Sequence, residues 1–381
     1  MNPLLDDAHL RLQQRARAWV EHNLIGRAAE ENDDDDAARR LVRDLGAAGF
    51  LAHAVPKAFG GARETVQARD LCVIREELAR GSALADTMFA VQALGSYPIT
   101  LAGSEEQKAR YLPDIASGRA IAAFALTEPQ AGSDIGAMET RATNEGAKYI
   151  LNGVKRFISN AGIAHNYVVF AVTASAPDKR QVSAFVVPAD TPGVALKERL
   201  RLLSPHPIGT VAFEDCAVPQ INLLGREGEG LKIALATLDM LRPTVGAAAV
   251  GLAARALEEA LRYSLTRRQF GRELAAFQAT QFKLADMATE LEASRLLVYR
   301  AAWTNDCGAK DLKTKSSMAK LYATEAAQRI VDAALQIHGA TGVLAGTPVE
   351  RLYRDVRALR IYEGTSEIQR LIIAKSLLRK E

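Results

Sequence analysis

Lys148 to Ser159 reads KYILNGVKRFIS, a run rich in β-branched and aromatic residues with Asn152-Gly153 at its centre. That pattern predicts two short strands, Lys148 to Leu151 and Val154 to Ser159, joined by a type I′ turn, because Asn-Gly tolerates the positive φ such a turn needs. Tyr167 to Thr173, Val182 to Val187 and Thr210 to Phe213 have the same character. Residues 119–225 are therefore expected to form a central small antiparallel sheet or barrel.

On both sides of this stretch the period changes from two to between three and four. Leu71, Ile74 and Leu78 recur at helical spacing and Gly81 stops them, while Pro56, Gly60 and Gly61 mark a loop within Ala48 to Gly61. Residues 1–118 thus read as an α-helical domain. Beyond Gly225 the helical period returns: Leu284, Met287, Leu291, Ser294, Val298 and Ala301 form one apolar stripe, and Ala319, Tyr322, Ala326 and Ile330 another. Gly246 to Gly251 (GAAAVG) suits close helix approach, and four long helices with short links predict a bundle over residues 226–381. Helices, then strands, then helices argue against a doubly wound sheet. In agreement, no GxGxxG follows a strand, and Gly225 to Gly230 (GREGEG) reads as a turn and helix start.

A chain of 381 residues makes two or three domains at about 150 residues each, enough to bury a large cofactor. Its 48 basic and 45 acidic residues nearly cancel, which supports neither a nucleic-acid nor a membrane footprint. The acidic run Glu30 to Asp36 (EENDDDD) reads as a solvated turn or helix start. Cys72, Cys216 and Cys307 are odd in number and far apart, which fits a reducing compartment, with a buried apolar place expected for each. The start, MNPLLDDAHL, resembles neither a secretory nor a transit segment, and no window holds the roughly 18 uninterrupted apolar residues of a spanning helix. A cytoplasmic protein is expected.

The six histidines show no metal-ligand spacing and no CxxC occurs, so no metal site is expected. Nor is there a GxSxG elbow for serine chemistry. Two other segments stand out. In Phe124 to Asp134 (FALTEPQAGSD) a strand runs into a turn dense in hydroxyls and backbone N–H groups. Taken alone it is an Asx or Ser turn ending a strand. In Tyr362-Glu363-Gly364-Thr365-Ser366 a carboxylate precedes a glycine and a helix whose Ser366 and Gln369 fit a capping box. Taken alone, Glu363 is an acid favoured by the helix dipole.

Together with six further pieces, these segments make the sequence similar to the acyl-CoA dehydrogenase family over almost its whole length. In the family's order they are VPKAFGG (Val55 to Gly61), FALTEPQAGSD, GVKRFISNAG (Gly153 to Gly162), FEDCAVP (Phe213 to Pro219), GREGEG, RRQFGRELAAFQ (Arg267 to Gln278), LQIHGATG (Leu335 to Gly342) and IYEGTSEIQR (Ile361 to Arg370).

The resemblance implies a mostly α fold with a central β-barrel domain between an N-terminal helical domain and a C-terminal four-helix bundle. It also implies FAD, an acyl-CoA substrate, electron-transfer flavoprotein as acceptor, and a homotetramer. Glu363 matches the family's base, taking the proton beside the thioester carbonyl, while its own backbone N–H helps to hold the thioester oxygen. Leu241 stands where some relatives carry the base on another helix. Phe124, Leu126, Thr127, Phe157 and Ser159 match contacts to the flavin ring. Arg267, Phe277, Gln278, Gln336 and Gly339 match other FAD contacts, some across a subunit interface, and Thr365 and Glu367 match the loop over the flavin. Ser133, Asp239, Arg242 and Gly364 match acyl-CoA contacts, with Arg242 at the adenine and ribose end.

Read without the resemblance, Phe157 is a core residue, Arg242 and Arg267 are surface ion-pair partners, and Gln278 and Gln336 are helix formers. Three departures stand beside the matches. Phe157 replaces a common Trp, Ala340 replaces the second glycine of a usual pair, and Leu202 to Thr210 (LLSPHPIGT) lacks an arginine often found there, a mark of altered acyl specificity. An oxygen-using oxidase and a non-catalytic flavoprotein of the same fold are the alternative readings.

Overall fold

The computed structural model describes residues 4–25, 35–176, 179–309 and 311–378. Most of the acidic run, residues 30–34, lies outside the described residues; Asp35 and Asp36 begin a helix, where its dipole favours them.

The N-terminal helices are α1 (Asp7–Asn23), α2 (Asp35–Ala47), α3 (Ala68–Gly81), α4 (Ala83–Ala102) and α5 (Glu105–Ala116). Local sequence explains their ends: Asp6 with His9 and Ser104 with Gln107 form reciprocal capping boxes. Gly81 closes α3 at a point where a Cβ would meet Val20 Cγ1 at 2.4 Å.

Eight strands pair in one sheet: β1 (Ala122–Ala125), β2 (Arg141–Asn144), β3 (Lys148–Ser159), β4 (Asn166–Ala176), β5 (Lys179–Pro188), β6 (Val194–Arg199), β7 (Ile208–Pro219) and β8 (Leu223–Leu224). Their order is β6-β7-β3-β2-β4-β5-β8, with β1 beside β4. Two of the pairings, β1 with β4 and β2 with β4, are parallel, so the sheet is mixed rather than wholly antiparallel. On β4, Val168, Phe170 and Val172 enter one apolar cluster and Tyr167, Val169 and Ala171 another, the period of two applied to a strand buried on both faces.

The expected hairpin at Asn152-Gly153 is absent. β3 runs unbroken through it, and the register steps from Leu151↔Cys216 to Gly153↔Phe213, so β7 carries one extra residue there. Asp215 takes a φ of 48° in that bulge and the Asn152 side chain accepts its N–H at 2.8 Å. Gly153 is required for another reason: its Cβ would lie 2.4 Å from Thr140 Oγ1.

The C-terminal part comprises α6 (Gly230–Thr266), the hairpin β9 (Arg268–Gln269) and β10 (Arg272–Glu273), then α7 (Gln278–Asp306), α8 (Leu312–His338), α9 (Pro348–Val356) and α10 (Ser366–Leu377). Three helices are long, and the fourth, α10, has only 12 residues. Small residues admit neighbours as their spacing suggests: a Cβ on Gly246 would meet Val298 Cγ2 at 2.7 Å and one on Gly251 the Glu76 carbonyl at 2.1 Å. Tyr322, assigned to a buried stripe from spacing, is 36% exposed, and Ala323 and Ala327 carry the stripe instead. Cys307 is exposed, unlike Cys72 and Cys216. An 18-residue window of α6 is apolar enough to cross a membrane, but 78% of it is buried inside the protein, as in a core helix.

By contacts the chain forms two compact units. One joins Met1–Glu31, Gln67–Asp86 and Arg242–Glu381; the other joins Asn32–Val66 and Thr87–Leu241. The first helical third is thus divided, α1, α3 and the first turn of α4 going with the C-terminal helices while α2, the rest of α4 and α5 accompany the sheet.

Candidate active site

In the helical unit, α9 runs through a short 3-10 turn at Arg357–Arg360 into Tyr362-Glu363-Gly364 and then α10. Glu363 has a φ of 53° and Gly364 one of 90°. A left-handed glutamate is held at a cost of about 1 to 3 kcal/mol, so the surroundings must fix it. They do so through the turn's carbonyls: Gly364 O accepts from Lys320 Nζ at 2.7 Å and from Gln369 Nε2 at 2.9 Å, and Glu363 O accepts from Gln369 Nε2 at 3.4 Å. A side chain at Gly364 would put Cβ 2.6 Å from that amide nitrogen.

The capping box expected of Ser366 and Gln369 does not form. Thr365, with an extended ψ of 165°, is the N-cap, and its hydroxyl accepts from Ile368 N. That frees Gln369 to reach back to Gly364, while Ser366 Oγ donates to Glu325 Oε1 at 2.6 Å.

Glu363 Oε2 is buried and has no hydrogen-bond partner. Burial pushes the carboxyl above its ordinary pKa and Asp86 adds to this, while Arg75, Lys320 and Arg242 oppose it. Arg75, 3% exposed, grips Asp86 through Nε and Nη2 at 2.7 and 2.8 Å and gives Nη1 to Thr244 Oγ1 at 2.9 Å. Burial raises the pKa of the Tyr362 phenol, and the charge of Arg75 opposes the rise. Lys320 is fully buried, which lowers its pKa to about 8 although the charge of Glu363 works the other way.

Arg242 is 4% exposed and its charge acts on Glu363 and Lys320, so it is not the surface ion-pair partner that its residue type alone suggests. A carboxylate with a raised pKa, an unengaged oxygen and balanced charges around it is suited to accept a proton near neutral pH.

In the sheet-bearing unit, β1 leads into Leu126, Thr127 and the turn to Asp134. Lys155, an inward residue of β3, donates to the Leu126 carbonyl at 3.1 Å and to Glu128 Oε1 at 2.7 Å. Glu128 also accepts from the backbone N–H of Glu139 (2.6 Å) and Thr140 (3.1 Å) and from Gln130 Nε2 (3.0 Å). Burial lowers the pKa of Lys155 to about 8 against the pull of Glu128, whose own pKa falls despite burial because Lys155 and those N–H groups favour its charge. Arg156 N donates to the Thr127 carbonyl at 2.9 Å, so the turn is stitched to β3.

Beside it, Phe157 has a φ of 58° and is 53% exposed. Ser159 Oγ lies 3.0 Å from Nε2 of His206, a residue of the divergent LLSPHPIGT segment. The Phe124 ring packs on Phe170 at 4.9 Å. Ser133 is exposed and Asp239 half-buried.

Of the other expected ligand residues, Arg267, Gln278, Gln336 and Gly339 are exposed, the last with a φ of 58°. Phe277 lies under the Arg272 guanidinium at 4.0 Å and edge-on to Phe270 at 6.3 Å. Thr365 and Glu367 sit at the N-terminus of α10, where first-turn N–H groups suit a diphosphate. These features fit FAD: an aromatic ring held outward in a strained backbone suits a planar heterocycle, and exposed donors suit its phosphates.

Sequence reasoning missed Arg75, Asp86, Lys320, Glu128, Lys155 and His206. For Lys155 a signal existed, since it continues the inward positions Tyr149, Leu151 and Gly153. Arg75 and Asp86 carry no such mark.

Three family descriptions match in order: acyl-CoA dehydrogenase N-terminal domain at residues 6–119, middle domain at 123–216 and C-terminal domain at 228–378. An acyl-CoA dehydrogenase of Bacillus subtilis is 44% identical over 370 residues, covering 96% of this chain and 97% of that protein. Butyryl-CoA dehydrogenase from Megasphaera elsdenii superposes with a TM-score of 0.93 at 34% identity, over 98% of this chain and 99% of that one. An acyl-CoA dehydrogenase complexed with FAD from Bacillus anthracis superposes with a TM-score of 0.91 at 33% identity, over 100% and 68%.

Proposed function

The chain belongs to the acyl-CoA dehydrogenase family, and from that premise we propose that Glu363 is the base of its reaction. The enzyme is an FAD-dependent oxidoreductase acting on acyl-CoA thioesters. The observation that carries the proposal is Glu363 Oε2, buried, without a hydrogen-bond partner, on a carboxyl whose pKa is raised.

Glu363 takes the α-proton on that oxygen, and its backbone N–H helps hold the thioester carbonyl oxygen as negative charge develops there. Bound FAD supplies the two-electron acceptor for the β-hydrogen, which leaves with its electron pair, and the product is the 2,3-enoyl thioester. Phe124, Leu126, Thr127, Phe157 and Ser159 orient the flavin ring; Arg267, Phe277, Gln278, Gln336, Gly339, Thr365 and Glu367 hold the rest of it. Ser133, Asp239, Arg242 and Gly364 contact acyl-CoA. Electron-transfer flavoprotein takes the electrons. A homotetramer covers the outward Phe270, 93% exposed in the single chain. Three free thiols suit the cytoplasm.

The test is Glu363→Gln. The variant should stay yellow and bind acyl-CoA while turnover falls about 10²- to 10⁴-fold. Unchanged turnover would show that another group takes the proton. Rapid reoxidation by air, rather than by electron-transfer flavoprotein, would reassign the acceptor.

A further inference from the structure

Glu363 stands in a conformation that its own sequence resists, beside a glycine whose carbonyl must point to one place. The group waiting there is Lys320, at 0% exposure among the most deeply buried side chains of the protein. A lysine is seldom buried without a direct carboxylate partner, because its ammonium loses hydration that one carbonyl only partly replaces. The ion pairs include none for Lys320 among the described residues, and its hydrogen bond goes to Gly364 O at 2.7 Å.

We propose that Lys320 is a positioning residue for the reaction: it pins the Glu363-Gly364 turn through the Gly364 carbonyl and lends its charge to the neighbouring carboxylate. The inference rests on Glu363 being the base. The first role is geometric. With φ positive at both residues, the direction of the Glu363 carboxyl and of its N–H follows from how the Gly364 peptide is held. Lys320 and Gln369 are the two side chains that hold it.

The second role is electrostatic. The charged groups acting on Glu363 are Arg75 from α3, Asp86 from α4, Arg242 from α6 and Lys320 from α8. Those acting on Lys320 are Glu363, Arg242, Glu325 and Glu367. Arg75 is already committed to Asp86 by two hydrogen bonds. The charge of Lys320 is balanced by no such contact and so falls on Glu363, restraining the rise that burial imposes.

Two variants separate the roles, with Glu363→Gln as the control for the premise. Lys320→Met, purified as holoenzyme, should remain yellow, lose about 10²-fold in kcat through misplacement of the base, and show the acid limb of its kcat/KM profile displaced to higher pH. Gln369→Leu removes the other donor to the same carbonyl without removing charge. It should lower kcat about tenfold through the same turn and leave the acid limb in place. A yellow Lys320→Met enzyme with wild-type kcat and an unmoved limb overturns the proposal. If that variant fails to take up FAD, Gln369→Leu decides, and wild-type kcat in it overturns the positioning role. Should Glu363→Gln keep full turnover, the base assignment fails instead, a result distinct from either.

Discussion

Two turns in this protein are each held by a fully buried lysine that donates to a backbone carbonyl, and they differ in how the charge is answered. At the turn after β1, Lys155 meets Leu126 O and is neutralised in place by Glu128 at 2.7 Å. At the turn before α10, Lys320 meets Gly364 O, and the carboxylate it influences, Glu363, is left with an unengaged oxygen. The first arrangement is closed: every charge has hydrogen-bonded partners, and the product is a rigid turn. The second is open, as proton transfer requires, because a base already paired with a cation would be too weak to act. Both lysines have their pKa lowered to about 8 by burial, so the distinction lies in the partners rather than in depth.

Breaking the closed turn should have the largest effect on stability. Lys155→Met leaves Glu128 buried without its cation and should cost about 3 to 5 kcal/mol, read as a fall in the unfolding midpoint. Adding Glu128→Gln should restore much of it. Loss of Lys320 should cost only about 1 kcal/mol, since Gln369 still serves the Gly364 carbonyl. If both lysine variants lowered the midpoint equally, the contrast between closed and open turns would be wrong.

A smaller effect of opposite sign is expected at the base itself. Glu363→Gly should raise stability by up to about 1 kcal/mol, because glycine adopts a φ of 53° without strain, while turnover is lost. A destabilised variant would mean that the turn is not strained. The smallest change concerns Phe157, which has the same left-handed backbone but faces outward. Phe157→Trp should alter FAD affinity, measured by flavin fluorescence titration, by no more than about threefold.

How legible the molecule was follows from range. The helical stripe through Leu71, Ile74 and Leu78 and the strands of the middle segment were readable, because burial imposes periods of three to four and of two on neighbours in the chain. Asn152-Gly153 misled because turn chemistry is local, whereas its true role depends on Thr140 and on the extra residue in β7. Ser366 with Gln369 misled likewise, since the positive φ of Glu363 and Gly364 moved the cap back to Thr365. The consecutive charges Arg75, Glu76 and Glu77 on α3 look like a solvent face. All three are buried: Arg75 on Asp86, Glu76 on Arg295 and Tyr299, and Glu77 on Arg17. No period shows that, because each partner lies on another helix.

The amino-acid sequence by itself determined the alternation of helical and strand segments, the family, the flavin and the motif that carries the proposed base, since these depend on local pattern and ordered motifs. Only the tertiary structure decided that Arg242 and Lys320 surround Glu363, that Lys155 and Glu128 lock the turn after β1, and that α3 joins the C-terminal helices. These are encounters between residues far apart in the chain, and a charge buried by such an encounter changes its chemistry in ways that no neighbour in sequence reports.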